Sequence, residues 1–350
     1  SDVFICPYCK NEFVFWDVAV DKENGKVKKK FDCPYCGAVL IKRDCRHASS
    51  IFFDNAIKKE VTMAKQVPVL INYSFGNKRF EKKPDKDDLA LIRRIDDMEI
   101  PYWFPTNRMP DGDESRRNDK YGITHIHHFY TKRNLWILAA IKNKCISPLT
   151  KLWFNSQLIN VSKLNRNRPD VSFPYNPLSG TLYISSQISE ANVFIAYKNK
   201  IERFKNALRN MGRSKNITST CSTTNISAIN SCIDYIFTDP PFGDNLMYSE
   251  LNFLWESWLK VYTNNKEEAI INKTQNKGLD EYTKLMMQCF KVMYRILKPN
   301  RWMTVVFHNS KASVWNGIQE AITRAGFIIA QVAVLDKKQR SFKQVTAAGA

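Results

Sequence analysis

The chain has 350 residues, 44% hydrophobic and 12% aromatic, which suits two domains or one domain with a large insertion and excludes wholesale disorder. No apolar run approaches the roughly 20 residues that span a bilayer, and no signal peptide opens the chain, so no membrane partner is expected. The net charge is +19, and it is uneven: residues 1–230 hold 38 Lys+Arg against 23 Asp+Glu, whereas residues 231–350 hold 15 against 11. Such an excess points either to a polyanionic partner, most simply nucleic acid, or to a solvated lysine-rich surface.

Residues 1–47 carry Cys6-Pro7-Tyr8-Cys9 and Cys33-Pro34-Tyr35-Cys36, with 23 residues between the pairs. Two CxxC knuckles supply four thiolates to one tetrahedral ion, so Cys6, Cys9, Cys33 and Cys36 are predicted to bind a structural Zn²⁺. Nine cysteines in all, an odd number, favour a reducing, cytoplasmic compartment over a disulfide framework. The alternation Phe13, Phe15, Val18, Val20 and the turn Asn24-Gly25 predict a β-hairpin module, and the segment is expected to be a zinc ribbon.

Residues 48–215 are expected to form a basic α+β insertion. Strand signals lie over 67–73, followed by the basic patch Lys78, Arg79, Lys82 and Lys83. Helical periodicity covers 85–98, 129–146 and 187–211. His125, His127 and His128 alternate in a way that suggests a metal, but no acidic or cysteine partner is near in sequence, which leaves a structural or DNA-backbone role. Arg116, Arg117, Lys132 and Arg133 surround them and suit phosphate contact or a solvated face.

Residues 216–350 alternate strands and helices: strands over 217–222, 233–237, 302–308 and 327–335, helices over 248–260, 282–297 and 312–325. That order implies parallel βαβ units. At the end of the second strand stands Thr238-Asp239-Pro240-Pro241-Phe242-Gly243-Asp244-Asn245. Two prolines after an acidic residue force a rigid, extended turn, at the strand end where open α/β sheets bind ligands. The Asp239 carboxylate and Pro240 carbonyl are both acceptors, suited to the two hydrogens of an exocyclic amino group, and Phe242 offers a face to a base. The alternative is a proline-rich loop that merely caps a strand. His308, at the tip of the next strand, either contacts cofactor or base or is a buried, satisfied histidine.

The 238–245 stretch resembles the [DNS]PP[YFW] signature of S-adenosylmethionine-dependent amino-methyltransferases, and Arg295–Trp302 resembles the turn into their fifth strand. Gly122–Arg133, the 238–245 stretch and Ser341–Thr346 together resemble a group of DNA methylases with an inserted zinc ribbon. The resemblance implies a Rossmann-like methyltransferase sheet whose catalytic half is residues 216–350, with residues 48–215 as the target-recognition region. It also implies methyl transfer from S-adenosylmethionine to a flipped base in double-stranded DNA, with adenine N6 preferred and a restriction-modification setting. Asp239, Pro240, Pro241 and Phe242 would be catalytic, and Asp239 and His308 would border the cofactor. An RNA guanine-N2 methyltransferase and a non-catalytic zinc-ribbon nucleic-acid binder are the alternatives. The glycine-rich turn these enzymes use for the cofactor is missing from the sequence. Since the chain opens on Ser1, that turn is expected in an upstream segment or a separate partner chain.

Overall fold

The computed structural model describes residues 1–168, 175, 177–209 and 215–334. Among these it is mixed α/β: eight α-helices and eleven short strands in five small sheets, none closed into a barrel. The chain divides into two compact units, one of Ser1–Pro110, Ser115–Met211 and Leu254–Lys260, the other of Asp111–Glu114, Gly212–Phe253 and Val261–Ala350.

The first unit opens with β1 (Val3–Ile5), flanked antiparallel by β2 (Glu12–Val14) and later by β5 (Arg46–His47). Between them come α1 (Phe15–Ala19) and the ribbon of β3 (Phe31–Asp32) and β4 (Val39–Leu40). Phe4, Phe13, Phe15, Phe31 and Leu40 pack around the buried Cys6, Cys33 and Cys45. The hairpin expected across residues 22–30 is reduced to one bridge, Val20↔Val27. The reason is α1: Phe15 and Ala19 lie four residues apart and both turn into the core, so the period of two is broken there.

The cysteine module is joined to residues 48–67 by backbone hydrogen bonds. Ala48 N donates to Val3 O, Val3 N to Lys65 O and Val67 N to Ser1 O, at 2.9, 3.0 and 2.9 Å. Two hairpins form in this part of the chain, β6 (Ser49–Asp54) with β7 (Lys59–Ala64), and β8 (Ile71–Phe75) with β9 (Lys78–Lys82). The strand predicted over 67–73 therefore starts only at Ile71. Helix α2 (Lys86–Asp97) follows Pro84 and starts at a capping box between Asp85 and Asp88. Helix α3 (Lys132–Lys144) starts later than predicted, because Ile126–Phe129 forms a tight 3₁₀ turn and Thr131 caps the helix proper. Helix α4 (Pro148–Asn155) starts at Ser147 with proline in its first turn, a placement that costs no hydrogen bond. Helix α5 (Val193–Arg209) and the last turns of α6 (Tyr248–Leu259) complete the unit. There the buried Trp258 meets Trp103, Tyr130 and Phe154 edge-on.

In the second unit β10 (Ile233–Thr238) and β11 (Leu297–Val305) pair in parallel, with Tyr235 opposite Trp302 and Phe237 opposite Thr304. The crossover between them contains α7 (Leu279–Ile296), and α8 (Ala312–Arg324) follows. Ile236, Met303 and Val305 turn one sheet face onto Tyr282, Phe290, Ile318 and Ala321 of these helices. The other face carries the exposed Tyr235, Phe237 and Trp302. The predicted strands over 217–222 and 327–335 are not formed in their described parts, since neither finds a strand neighbour there. Leu335 and Ser341–Thr346 lie outside the described residues.

Gly122 has φ +76°, and a Cβ built on it would lie 2.0 Å from the carbonyl oxygen of Thr62. Gly122→Ala is expected to cost about 2 kcal/mol or more, since both the left-handed backbone and the hairpin β6–β7 must give way. Urea denaturation, with a lower midpoint and an unchanged slope, checks it.

Candidate functional site

Two prolines cannot donate to a sheet ladder, so β10 ends as Thr238 O accepts from Val306 N at 2.9 Å and the chain turns out at Asp239. Three contacts then fix the turn. The buried Tyr282 hydroxyl donates to Pro241 O at 2.7 Å, Asn309 Nδ2 donates to Phe242 O at 2.8 Å, and Ile271 N donates to Gly243 O at 3.1 Å. Burial pushes the Tyr282 phenol up, so it stays a donor across the physiological range. Gly243 is left-handed at φ +71°, with Val314, Asn309 and Ile271 at 3.2–3.3 Å from where a Cβ would stand.

The outcome separates two kinds of acceptor. The carbonyls of Pro241 and Phe242 are occupied. The Asp239 carboxylate is exposed and has no hydrogen bond or ion pair among the described residues. Phe242 is half-buried and meets Phe307 edge-on at 5.3 Å, and Phe307 meets Trp315 the same way at 5.1 Å. Parallel pairing brings the loop after β11 to the same end of the sheet. That loop contains Asn309 and His308. His308 is exposed, so its alternative as a buried core histidine is corrected. The buried Glu250, which composition and spacing gave no reason to single out, accepts from Glu114 N at 2.8 Å and Asn272 Nδ2 at 3.0 Å. Tyr282 and Asn309 were also missed, since their roles depend on a carbonyl that only the fold brings within reach.

The basic residues predicted to bind phosphate are engaged within the first unit. Arg133 pairs with Glu190, Lys132 donates to the Asp96 carbonyl, and Arg116 lies 3.4 Å from Asp119. Arg117 is exposed.

The histidine cluster has the acidic partner that its own stretch of sequence lacks. Asp54, at the end of β6, accepts from His127 Nε2 at 2.7 Å and His128 Nε2 at 2.9 Å, and all three residues are buried. Three such groups could hold a metal ion. However, Thr124 N donates to His128 Nδ1 at 3.2 Å. That nitrogen is therefore the acceptor, and the ring's proton sits on Nε2, aimed at Asp54. The cluster is a hydrogen-bonded staple between the β6–β7 hairpin and the 123–131 segment. Burial raises the Asp54 carboxyl, but the two imidazole donors outweigh it and hold it well below the usual carboxylate range. Burial lowers His125 to about 4, with the neighbouring His128 and His127 adding to the effect.

The four predicted thiols do converge. Cys6 Sγ and Cys36 Sγ are 3.8 Å apart, Cys9 Sγ and Cys33 Sγ 3.7 Å, and all four lie within 4.8 Å of one another. A tetrahedron with metal–sulfur bonds of about 2.3 Å has edges of about 3.8 Å, so the cluster could hold a metal ion such as zinc. Each knuckle closes on a left-handed residue, Lys10 at φ +63° and Gly37 at φ +70°, whose N–H returns to the carbonyl of Cys6 or Cys33. Burial works to raise the Cys6 thiol, but the N–H groups of Cys9 and Tyr8 bring it down to about 7. The Ala38 N–H favours the Cys36 thiolate, but desolvation and the other three sulfurs push it up to about 12. Four thiolates at this spacing repel one another, and a divalent cation is what would let all four ionise.

Two outcomes are expected. Cys33→Ser is expected to lower bound zinc from one equivalent to less than about half and to loosen the cysteine module, read by metal analysis and hydrogen exchange. The folded His125 prefers its neutral form, whereas the unfolded chain takes up the proton near pH 6.5. Stability is therefore expected to fall as pH drops from about 6.5 towards about 4. Thermal melts of the wild type and His125→Asn measure the effect, and the variant should have the shallower slope. Comparison of the chain with protein-family models, with characterised proteins and with solved structures finds no match.

Proposed function

We propose that the protein is a methyltransferase component that acts on the exocyclic amino group of a flipped base in double-stranded DNA, with adenine N6 preferred. The observation that carries this is the exposed, unpartnered Asp239 at the carboxyl end of a parallel strand, on a turn whose carbonyls from Pro241 to Gly243 are all held. A carboxylate in that position accepts one amino hydrogen. The Pro240 carbonyl, one residue on, accepts the other, and Pro241 keeps the two acceptors in a fixed relation. With both N–H bonds engaged, the nitrogen lone pair is turned outward and made more nucleophilic. Phe242, steadied edge-on by Phe307, stacks against the base. The contribution is positioning and local electrostatics. Asp239 also serves as the first acceptor for the proton that the amino group sheds, since its carboxylate is already hydrogen-bonded to that nitrogen.

S-adenosylmethionine supplies the methyl group in this proposal. The described residues do not by themselves fit it: at this end of the sheet stands no glycine-rich strand-to-helix turn to receive its adenosyl and carboxylate groups. The donor is therefore assigned to a further segment or a partner chain that extends the two-stranded sheet. The bare face of Tyr235, Phe237 and Trp302 supports this, because parallel strands are normally covered on both faces. The module around Cys6, Cys9, Cys33 and Cys36 is proposed to be a zinc ribbon that belongs to the target-recognition part of the chain.

The test is methyl transfer to duplex DNA by the chain together with the cofactor-binding segment or partner, with the products read as nucleosides by mass spectrometry. N6-methyladenine is expected. Asp239→Ala is expected to lower turnover at least about 100-fold with the fold unchanged. Tyr282→Phe should lower it less, about tenfold, since it only loosens the Pro241 carbonyl. Methylated guanosine in RNA would move the substrate to RNA. No methylated product overturns the proposal in favour of a non-catalytic binding protein, and full turnover by Asp239→Ala overturns the site assigned to Asp239.

A further inference from the structure

Among the described residues hairpin β8–β9 has no other strand beside it. Isolated two-stranded hairpins are marginal in water, and side chains on both of their faces stay accessible. The cross-strand register makes this one two-faced. Tyr73 stands opposite Phe80, Phe75 opposite Lys78 and Ile71 opposite Lys82, so all six share one face. The other face is polar: Asn72, Ser74, Arg79 and Glu81. Tyr73 and Phe80 stack on one another, offset, with ring centroids 5.5 Å apart and planes 23° from parallel. Phe75 is 80% exposed, next to the turn at Gly76, although it is the most apolar residue of the tip. Lys78 beside it has no ion pair among the described residues, whereas Lys82 at the base is neutralised by Asp85 and Asp88 at 2.8 Å. The positive charge is thus kept at the tip, next to the exposed ring.

We infer that the Tyr73–Phe75–Phe80 face of this hairpin is a stacking platform for unpaired bases of a nucleic-acid strand, with Lys78 on its phosphates. Tyr73 and Phe75 are two residues apart on one strand, about 7 Å, a spacing at which successive bases of an extended strand meet successive rings. Aromatic rings provide sequence-tolerant stacking, and a neighbouring lysine provides the counter-charge that an apolar protein partner would not need. The inference rests on the nucleic-acid partner proposed above and gives it a place. A base-flipping reaction leaves unpaired nucleotides, and a platform for them is what the fold here presents.

The experiment uses the full chain and a fluorescein-labelled oligothymidylate, with binding read by anisotropy. Phe75→Ala is expected to weaken binding about tenfold, and Phe75→Trp to restore it, because the platform needs a ring and not this ring. Lys78→Ala should reduce the slope of log affinity against log salt by about 1. Far-UV circular dichroism of Phe75→Ala should match the wild type, since the side chain leaves no core position. Unchanged affinity in Phe75→Ala, while the wild type binds both the oligonucleotide and duplex DNA, overturns the platform and leaves the methyltransferase proposal standing. A wild type that binds neither nucleic acid overturns both. Loss of binding to phosphatidylserine vesicles in Phe75→Ala, with oligonucleotide affinity unchanged, overturns the inference in favour of a lipid surface.

Discussion

The buried hydroxyl of Tyr282 on the carbonyl of Pro241 is the contact on which the candidate catalytic end of the sheet depends. Pro240 and Pro241 remove two backbone donors in succession, so the ladder cannot continue past Thr238, and the turn needs support from side chains instead. Helix α7 supplies Tyr282 and the loop after β11 supplies Asn309. Both donors arrive from elements that the parallel crossover places against β10. The effect is selective: it consumes the carbonyls of Pro241 and Phe242 and leaves the exposed Asp239 carboxylate uncommitted. A turn held only by its own prolines would be rigid, but its direction would not be set.

In the first unit a comparable constraint comes from sulfur. Strands of two or three residues carry too few ladder bonds to stand alone, and the aromatic cluster of Phe4, Phe13, Phe15 and Phe31 is small. The two cysteine knuckles hold the ends of these strands together. Crowding among the four sulfurs pushes the Cys36 thiol up, while the N–H groups of Cys9 and Tyr8 bring the Cys6 thiol down. The Asp54–His127–His128 staple does similar work without an ion. Its carboxylate is neutralised in effect by N–H dipoles, and so it ties a hairpin to a segment more than seventy residues away.

Charge was the least specific guide. A net +19 says that the surface is basic but not which cations are committed to the chain itself. Arg133 pairs with Glu190, and Lys132 caps the end of another helix through the Asp96 carbonyl. At hairpin β8–β9 the same kind of residue is treated differently along one strand, with Lys82 paired and Lys78 set beside an exposed ring.

Local patterns carried a good part of the fold. The periodicity of α2, α7 and α8 and the hydrophobic run of β10 up to Asp239 all depend on neighbours within a few residues, so they were legible in sequence. So was the convergence of Cys6, Cys9, Cys33 and Cys36, because a CxxC turn fixes each pair and one ion needs both. Tertiary structure decided what depends on distant partners. Phe15 and Ala19 became a helix because the module core rewards a spacing of four. Asp54 found two histidines that have no acid near them in the chain, and Gly122 passed under Thr62. Residues 217–222 and 327–334 stayed irregular because a strand is defined by its neighbour, and strand propensity alone provides none.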